Sequence, residues 1–277
     1  MKISCLAPLL FVGYQVCAPN AHAAILFSDN FDTVSSGASI NGRTPDVNNV
    51  NANKWVAPTS NFLSNGSGGL NAIPSDARTA SLDLGAGYLA ANPGIYTLSL
   101  SITQPNINAQ SWVALGFGQG NDVANNLVGN NGNPWLLFRL NGSVNVYGGP
   151  GVSEQLTNGG IAGAATVTAT RGTAHVFSLI LDTSLPNWTL NASIDSTPVD
   201  VNGSLAGLAY TFATNPTLSH YAAMSVGVNG ASDTGTVDNF QVSFAAVPEP
   251  STLLLVGSAF GVLAWRQQRR KPANLGK

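Results

Sequence analysis

Charged side chains are scarce in this chain of 277 residues, of which only 9% are Asp, Glu, Lys or Arg. Over residues 24–247, twelve acidic residues oppose five basic ones, which gives a net charge of 5 − 12 = −7. A surface of this sign repels phosphate backbones, so the composition argues against nucleic acid as a partner. Hydrophobic residues make up 44% of the chain, and this is enough apolar material for one packed core.

Cysteine is scarcer still, because the chain has only Cys5 and Cys17, both close to the N-terminus. Around them lie an apolar run over residues 6–16 and the small residues Ala21 and Ala23, the pattern of a secretory signal peptide. We expect signal peptidase to cleave after Ala23. The mature protein would then have no thiol and no disulfide, and its stability would depend on core burial, with or without a bound metal.

Residues for catalysis are also few in the body of the chain, which has one glutamate, Glu154, and two histidines, His175 and His220. Glycoside hydrolysis generally needs two carboxylates about 5 to 10 Å apart, and a zinc site or an assisted nucleophile needs a cluster that isolated histidines do not offer. Four aspartates beside turn signals are expected to cap backbone amides: Asp182, Asp195, Asp200 and Asp233. The sequence therefore predicts no enzyme. His175 is expected at a strand start and His220 in a polar loop.

The C-terminal end has a different character. Residues 251–265 carry no charge, and as a helix they would span roughly 22 Å, short of the ~30 Å hydrocarbon core of a bilayer. An interfacial tryptophan and a basic cluster follow at once: Trp265, Arg266, Arg269, Arg270 and Lys271. Such a cluster stays on the cytoplasmic side. We therefore expect a short transmembrane helix that holds a precursor in the inner membrane, with the body of the chain outside.

A proline-rich hexapeptide precedes this helix: Val247, Pro248, Glu249, Pro250, Ser251 and Thr252. Each proline keeps the residue before it extended, a shape that a protease cleft can bind. The hexapeptide, the short apolar helix and the basic end together resemble the PEP-CTERM sorting signal. In that family an exosortase, a membrane-embedded processing enzyme, recognises the Pro-Glu-Pro tripeptide in bacteria that also make exopolysaccharide. The alternative is an ordinary C-terminal anchor with a chance Pro-Glu-Pro.

Between the two ends, apolar residues alternate with period two in short runs, and no comparable window shows helical periodicity. The runs predict strands at residues 25–27, 79–84, 95–102, 111–118, 134–140, 143–147, 165–170, 175–181, 188–194, 222–228 and 236–244. Asn141-Gly142 predicts a two-residue turn in a hairpin over 134–147. Segments 34–53 and 118–133 are predicted surface loops. This many strands at this spacing predict an all-β fold, an antiparallel β-sandwich.

The strand pattern also resembles the concanavalin A-like lectin/glucanase superfamily. The resemblance lies in FSDNFD at 27–32, SWVALGFG at 111–118, the segment 175–199 and TVDNFQVS at 236–243. It implies an antiparallel jelly roll whose first and last strands are neighbours. The glucanases of that superfamily carry paired glutamates on one strand, which this chain lacks.

These patterns divide the chain into three parts: a signal peptide helix (1–23), a β-sandwich domain (24–246) and a sorting signal (247–277). The sorting signal itself comprises the motif (247–252), the apolar helix (251–265) and the basic tail (266–277).

Calcium is the metal that best suits the oxygen-rich side chains near the ends of the body. Asp29 and Asp32 lie near the start and Asp238 near the end, so pairing of the first and last strands would bring them together. The alternative is that Asp29 and Asp32 terminate the first strand, while Asp238 bonds to a neighbouring backbone amide.

Four tryptophans of the body are the large aromatic residues that could stack on sugars. Trp112 and Trp188 lie in alternating runs and are expected in the core, whereas Trp55 and Trp135 adjoin loops and are candidates for carbohydrate contact. The sequence thus favours a non-enzymatic exported protein, processed by signal peptidase and an exosortase and associated with exopolysaccharide or a biofilm at the surface or in the matrix of a Gram-negative-type bacterium. A carbohydrate-binding module is the alternative, and a glycoside hydrolase is the third.

Overall fold

The computed structural model describes residues 23–73, 78–107, 110–119, 132–148, 155–204, 207–227 and 235–247. The signal peptide before Ala23 and the sorting signal after Val247 lie outside these ranges, as do Glu154 and Asp233.

The described residues form fifteen strands and one four-residue helix, α1 (Tyr88–Ala91). The first eight strands are β1 (Ala24–Asp29), β2 (Val47–Asn48), β3 (Phe62–Ser64), β4 (Leu70–Ala72), β5 (Arg78–Asp83), β6 (Gly94–Thr103), β7 (Trp112–Gly118) and β8 (Gly132–Arg139). The remaining seven are β9 (Val144–Tyr147), β10 (Ala174–Asp182), β11 (Thr189–Ile194), β12 (Thr197–Pro198), β13 (Tyr210–Thr211), β14 (Tyr221–Gly227) and β15 (Thr236–Ala246).

The strands pair into two antiparallel sheets, as the sequence predicts. The larger sheet has ten strands, seven of them in the order β12-β11-β10-β6-β15-β1-β2, with β13 beside β11 and with β4 joining β3 to β15. The smaller sheet has five strands in the order β5-β14-β7-β8-β9. Strand β1 pairs with β15, which confirms the expectation that the first and last strands are neighbours.

One hydrophobic core lies between the inner faces of the two sheets. Successive residues of β6 alternate between full burial and partial exposure, because neighbouring side chains of a strand point to opposite faces. Leu98 of β6 and Leu179 of β10 belong to the same buried cluster as Leu115 of β7 and Met224 of β14. Burial of apolar surface, worth about 25 cal/mol per Å², therefore holds the two sheets together.

The hairpin predicted over residues 134–147 is confirmed by the pairing of β8 with β9, but its turn differs from the prediction. The backbone N–H of Arg139 donates to the carbonyl of Ser143 at 2.9 Å, so the loop has three residues rather than two. Gly142 has a φ of 90° and closes the loop in the left-handed region, an arrangement typical of three-residue hairpins. Asn141 contributes its side chain, which accepts the backbone N–H of Ser143 at 2.9 Å.

A two-residue turn of the type predicted at Asn141-Gly142 is found between β11 and β12. Asp195 and Ser196 have φ values of 49° and 66°, and Ile194 pairs with Thr197 across the turn. Positive φ at both central residues is the mark of a type I′ turn.

Two segments depart from the sequence-based prediction. Residues 165–170 form no strand and meet the sheet through one bridge, between Thr168 and Ser143. Val167 and Ala169 pack against the core, which explains the alternation that the sequence shows. In the predicted surface loop 34–53, β2 pairs with β1 and Ile40 is fully buried.

Candidate functional site

A network of polar side chains surrounds the end of β1, where Asp29 is 1% exposed. Oδ1 of Asp29 accepts hydrogen bonds from Nη1 of Arg43 at 2.8 Å and from the backbone N–H of Phe31 at 3.0 Å. Its Oδ2 accepts one from the indole Nε1 of Trp55 at 2.8 Å. Arg43 also forms an ion pair with Asp46 at 2.6 Å. Asp29 thus ties the first strand to the loop that follows it.

The two carboxyl groups that bind Arg43, those of Asp29 and Asp46, have pKa values shifted in opposite directions. Burial raises the pKa of Asp29 to about 6, although the donors from Trp55, Phe31 and Arg43 oppose the shift. The backbone N–H of Asn30 and the Arg43 guanidinium lower the pKa of Asp46 in spite of its partial burial. Acid and base pairs in enzymes show such a divergence. Here, however, Arg43 bridges the pair and the donors occupy both oxygens of Asp29, so the arrangement joins the loop to the strand.

Asp29 is consequently misplaced in the predicted calcium site. Its oxygens face Arg43, Trp55 and the backbone of Phe31, and these donors would compete with a cation. The structure corrects this part of the prediction because a buried carboxylate is stabilised by the hydrogen-bond donors closest to it.

Asp32 and Asp238, in contrast, come close enough to influence each other. Burial raises the pKa of Asp238, and the negative charge of Asp32 adds to the shift. Asp238 begins a bulge in β15, where Asn239 has a φ of 51° and donates its backbone N–H to Oδ1 of Asp238 at 2.6 Å. This contact matches the alternative in which Asp238 bonds to a neighbouring amide.

The loop between β3 and β4 packs against Asp32 and against the backbone of β15. A Cβ atom at Gly68 would overlap Oδ1 of Asp32, and one at Gly69 would lie 3.2 Å from the carbonyl oxygen of Val237. One carboxylate and one backbone carbonyl of β15 therefore lie beside this loop, and oxygen ligands are those that Ca²⁺ prefers. Oδ2 of Asp32, however, already accepts a hydrogen bond from Nδ2 of Asn30 at 2.7 Å. No cluster of three His, Cys, Asp or Glu side chains occurs in the part of the chain that the structure describes.

The two tryptophans predicted to contact carbohydrate are both interior residues. Trp55 is 1% exposed and packs edge-on against Phe240, with ring centroids 4.9 Å apart. Trp135 is fully buried and stacks on Tyr147 at 4.0 Å. Neither indole offers a free face to a sugar ring in this structure, which corrects the prediction. Trp55 turns into the core, whereas Trp135 lies within β8 and is covered by the aromatic residues beside it. Trp112 and Trp188 are buried as expected.

Trp135 belongs to a second, smaller apolar cluster on the outer face of the five-stranded sheet. This outer-face cluster consists of Trp112, Ala114, Trp135, Leu137, Tyr147 and Ala223. The sheet has glycines at the positions where Trp135 and Trp112 pack against it. A Cβ on Gly116 would clash with Trp135, and one on Gly227 would clash with the indole of Trp112. Arg139 and Asn145 extend this face on β8 and β9, and neither residue is singled out by the sequence patterns.

Asp182 and Asp200 bond to backbone amides near turns, as the sequence predicts, whereas Asp195 bonds across the sheet. Asp182 accepts the backbone N–H of Ser184 at 2.9 Å, and Asp200 accepts that of Gly203 at 2.9 Å. Asp195 accepts the backbone N–H of Val176 and pairs with Nδ1 of His175 at 2.6 Å. His175 is the second residue of β10, at a strand start as expected.

Little of the sorting signal lies within the described residues. Val247 follows β15 directly and is 39% exposed, so the sheet leads straight into the motif. Within the described ranges no helix has the length and hydrophobicity needed to cross a bilayer. The predicted cleavage residue Ala21, motif residues 248–252 and the membrane-orienting residues 265–271 fall outside those ranges.

Comparison with known families identifies the C-terminal signal. Residues 246–271 match the family described as the PEP-CTERM protein-sorting motif. This match confirms the resemblance found in the sequence, and it indicates an exported protein that is processed by an exosortase. No curated protein matches the sequence.

Solved structures resemble the body of the chain in fold alone. An endo-1,3-beta-glucanase from Streptomyces sioyaensis is 15% identical, with a TM-score of 0.50 over 83% of this chain and 99% of its own. The Emp47p carbohydrate recognition domain is 12% identical, with a TM-score of 0.44 over 83% of this chain and 100% of its own. The exoplasmic/lumenal domain of VIP36 in its Ca²⁺/Man3GlcNAc-bound form is 14% identical, with a TM-score of 0.44 over 72% of this chain and 86% of its own. These neighbours have concanavalin A-like lectin/glucanase folds.

Proposed function

We propose that this protein is a non-enzymatic component of the bacterial cell surface or extracellular matrix, associated with exopolysaccharide or a biofilm. The match of residues 246–271 to a protein-sorting motif is the observation that carries the proposal. The signal-peptide pattern over 1–23 supports it from the other end, because a chain processed at both ends must cross the cytoplasmic membrane.

The order of events follows from the charges and lengths of the terminal segments. Signal peptidase removes residues 1–23, and the apolar segment 251–265 then holds the precursor in the inner membrane. The basic residues 266–271 keep the tail on the cytoplasmic side. This orientation leaves the extended motif on the outer side of the inner membrane. There the exosortase cleaves and releases the β-sandwich domain.

Mass spectrometry of the mature protein from its native host tests the proposal. Wild-type protein should begin at Ala24 and end within residues 247–252. Replacement of Pro248, Glu249 and Pro250 by alanine should leave a chain that ends at Lys277 and stays in the membrane fraction. The matched control, Pro272→Ala, changes a proline beyond the basic cluster and should be processed normally. An exported wild-type chain that retains Lys277 would contradict exosortase processing.

Calcium is the cofactor that we propose for the oxygen atoms near the strand ends. Asp32 and Asp238, together with backbone oxygens of the adjoining loop and strand, would hold the ion where the first and last strands pair. The ion would neutralise two neighbouring carboxylates and brace the strand ends. Its role in this proposal is structural.

Carbohydrate binding is the second candidate function, and the outer face of the ten-stranded sheet favours it. Side chains with hydroxyl groups lie side by side on this face in neighbouring strands, including Ser99 of β6, Ser178 of β10 and Ser193 of β11. A neutral hydroxyl-rich surface suits polysaccharide better than it suits charged partners. A glycan array distinguishes the two candidates, since specific retention on a polysaccharide favours binding and uniform silence favours a structural role.

A hydrolase remains the third candidate, and it needs two acids that face a substrate groove. Asp29 and Asp46 share a cavity of about 230 Å³, but Arg43 binds both. Release of reducing sugars from a polysaccharide that the protein retains would favour this candidate over the other two.

A further inference from the structure

The outer face of the ten-stranded sheet contains a cavity that neither the sorting signal nor the acidic network uses. It lies over three neighbouring strands, in which Thr97 of β6 pairs with Ile180 of β10, and Ile180 pairs with Asn191 of β11. The inward neighbours of Ile180, Leu179 and Leu181, are fully buried in the core. Ile180 therefore points outward. It forms the floor of the cavity, between the hydroxyl group of Thr97 and the amide of Asn191.

The β11–β12 turn and the strand after it close one side. Ser196 occupies the type I′ turn, and Pro198 pairs with Ser193 at the edge of the sheet. The cavity measures about 370 Å³, and it falls in the range of about 300 to 1,000 Å³ that is usual for small-molecule sites. A single water molecule takes up about 30 Å³ of liquid, so the space is large enough for a small-molecule ligand. The full lining is Thr97, Ser178, Ile180, Asn191, Ala192, Ser193, Ser196, Pro198 and Gly207.

Asn191 contributes its side-chain amide to the wall of this space. Its Oδ1 is buried and accepts no hydrogen bond from any group in the described part of the chain. Other asparagines behave differently, since Oδ1 of Asn158 accepts the backbone N–H of Val167 and Oδ1 of Asn215 accepts that of Trp188. A buried amide oxygen without a donor is costly in a folded protein. The cavity wall at Asn191 therefore carries hydrogen-bonding capacity that the described part of the chain leaves unused.

We infer that this cavity binds one neutral sugar residue of a polysaccharide, whose ring hydroxyls hydrogen-bond to the side-chain amide of Asn191. The hydroxyls of Thr97, Ser178 and Ser193 offer further donors and acceptors to the same ring. Ile180 and Pro198 supply apolar contacts for the C–H face of the sugar. None of the nine lining residues carries a charge, so a sugar acid would bury its carboxylate without a counterion.

The inference rests on the carbohydrate-binding candidate and assigns it a location. That location is the outer face of the larger sheet. The outer-face cluster of the smaller sheet, with Trp112 and Trp135, lies on the opposite side of the core. It does not depend on the sorting signal or on its processing.

Titration calorimetry on the full-length chain tests the inference, with the protein held in a detergent that has no sugar head group. The probes are neutral disaccharides, namely cellobiose, laminaribiose, maltose and mannobiose, with glucuronic acid as the charged counterpart. At least one disaccharide should bind with a Kd on the order of 1 mM or tighter. Glucuronic acid should bind about tenfold more weakly or not at all.

The main variant is Asn191→Leu, which removes the amide with little change in volume. Because the oxygen has no donor in the described part of the chain, the melting temperature should stay the same or rise, while affinity falls about tenfold or more. Ser178→Phe, which fills the cavity from its floor, should abolish binding independently. Ser243→Ala is the control, since Ser243 pairs with Thr97 from β15 and does not line the cavity.

The outcomes separate this inference from the candidate function on which it rests. Sugar binding that survives both Asn191→Leu and Ser178→Phe would overturn the site and leave carbohydrate binding in place. Absence of binding to every probe and to a full glycan array would overturn both. Either result leaves the proposal on export and C-terminal processing to its own mass-spectrometry test.

Discussion

The indole Nε1 of Trp55 lies 2.8 Å from Oδ2 of Asp29, and both side chains are almost completely buried. The sequence presents them as candidates for two separate sites, a sugar platform and a metal ligand. In the folded protein each is the other's hydrogen-bond partner. The bond joins the end of β1 to the following loop, and its energetic role is open to direct measurement.

Replacement of Trp55 by phenylalanine should destabilise the protein, because it leaves Oδ2 of Asp29 buried without its donor. The loss of a hydrogen bond to a buried carboxyl group costs about 1 to 3 kcal/mol, and the smaller ring adds to this cost. Urea unfolding of Trp55→Phe, Asp29→Asn and the double variant forms a cycle. A non-zero coupling energy is expected, whereas purely additive effects would show that the bond contributes nothing.

The stability of the wild-type protein should carry a pH-dependent contribution from Asp29. Its folded pKa of about 6 lies above the value of 3.8 for an unperturbed aspartate, so between these values the folded state holds a proton that the unfolded chain has released. The free energy of unfolding from this group therefore falls as the pH rises from about 4 to about 6, by on the order of 3 kcal/mol. Asp29→Asn should remove this contribution.

The measurement compares wild-type and Asp29→Asn unfolding at several pH values across that interval. The unfolding free energy of the wild type, relative to that of Asp29→Asn, should fall as the pH rises. A difference that is flat, or that moves the other way, would mean that Arg43 keeps the carboxyl group ionised in spite of its burial.

Millimolar Ca²⁺ should raise the melting temperature of the wild-type protein if Asp32 and Asp238 hold an ion. A ligand present at about 100 times its Kd stabilises the folded state by about 2.7 kcal/mol. Asp32→Asn and Asp238→Asn should each remove most of the effect. Asp182→Asn is the matched control, since that carboxylate caps the backbone of Ser184. If calcium does not change the melting temperature of the wild-type protein, the proposed site is wrong.

Gly142→Ala should destabilise the β8–β9 hairpin. Gly142 has a φ of 90°, and L-residues with a Cβ atom lose roughly 1 to 2 kcal/mol in the left-handed region. Gly142→Asn should cost less, because asparagine tolerates this conformation better than alanine. Equal losses in thermal unfolding would instead point to crowding, since either Cβ would lie 3.3 Å from the carbonyl of Ala169.

Ten of the eleven strands expected from alternation are present, because a period of two depends only on which face of a strand is buried. The segment 165–170 shows the limit of that signal. Its alternation comes from Val167 and Ala169 packing on the core. Its hydrogen bonds to Gly142 and Val144 form a single bridge and do not extend into the continuous ladder of a strand, which no local pattern specifies. The two- and three-residue strands β2, β3, β4, β12 and β13 are too short for any period to be visible.

For the candidate sites, the chain by itself determined the chemistry at its ends. The hexapeptide at 247–252, the uncharged segment and the basic cluster are contiguous in sequence, so a local pattern was sufficient to identify the sorting signal. The scarcity of charge and of cysteine likewise required no coordinates.

Only the tertiary structure decided the partners of Asp29 and Trp55 and the surroundings of Asn191. Arg43 and Trp55 approach Asp29 across 14 and 26 residues of chain, and the cavity beside Asn191 is assembled from three strands. Contacts of this kind depend on strand order and register, which are properties of the whole packed sheet. Hydrophobic alternation specifies that a residue faces outward, and the register then decides which residues of the adjacent strands lie beside it.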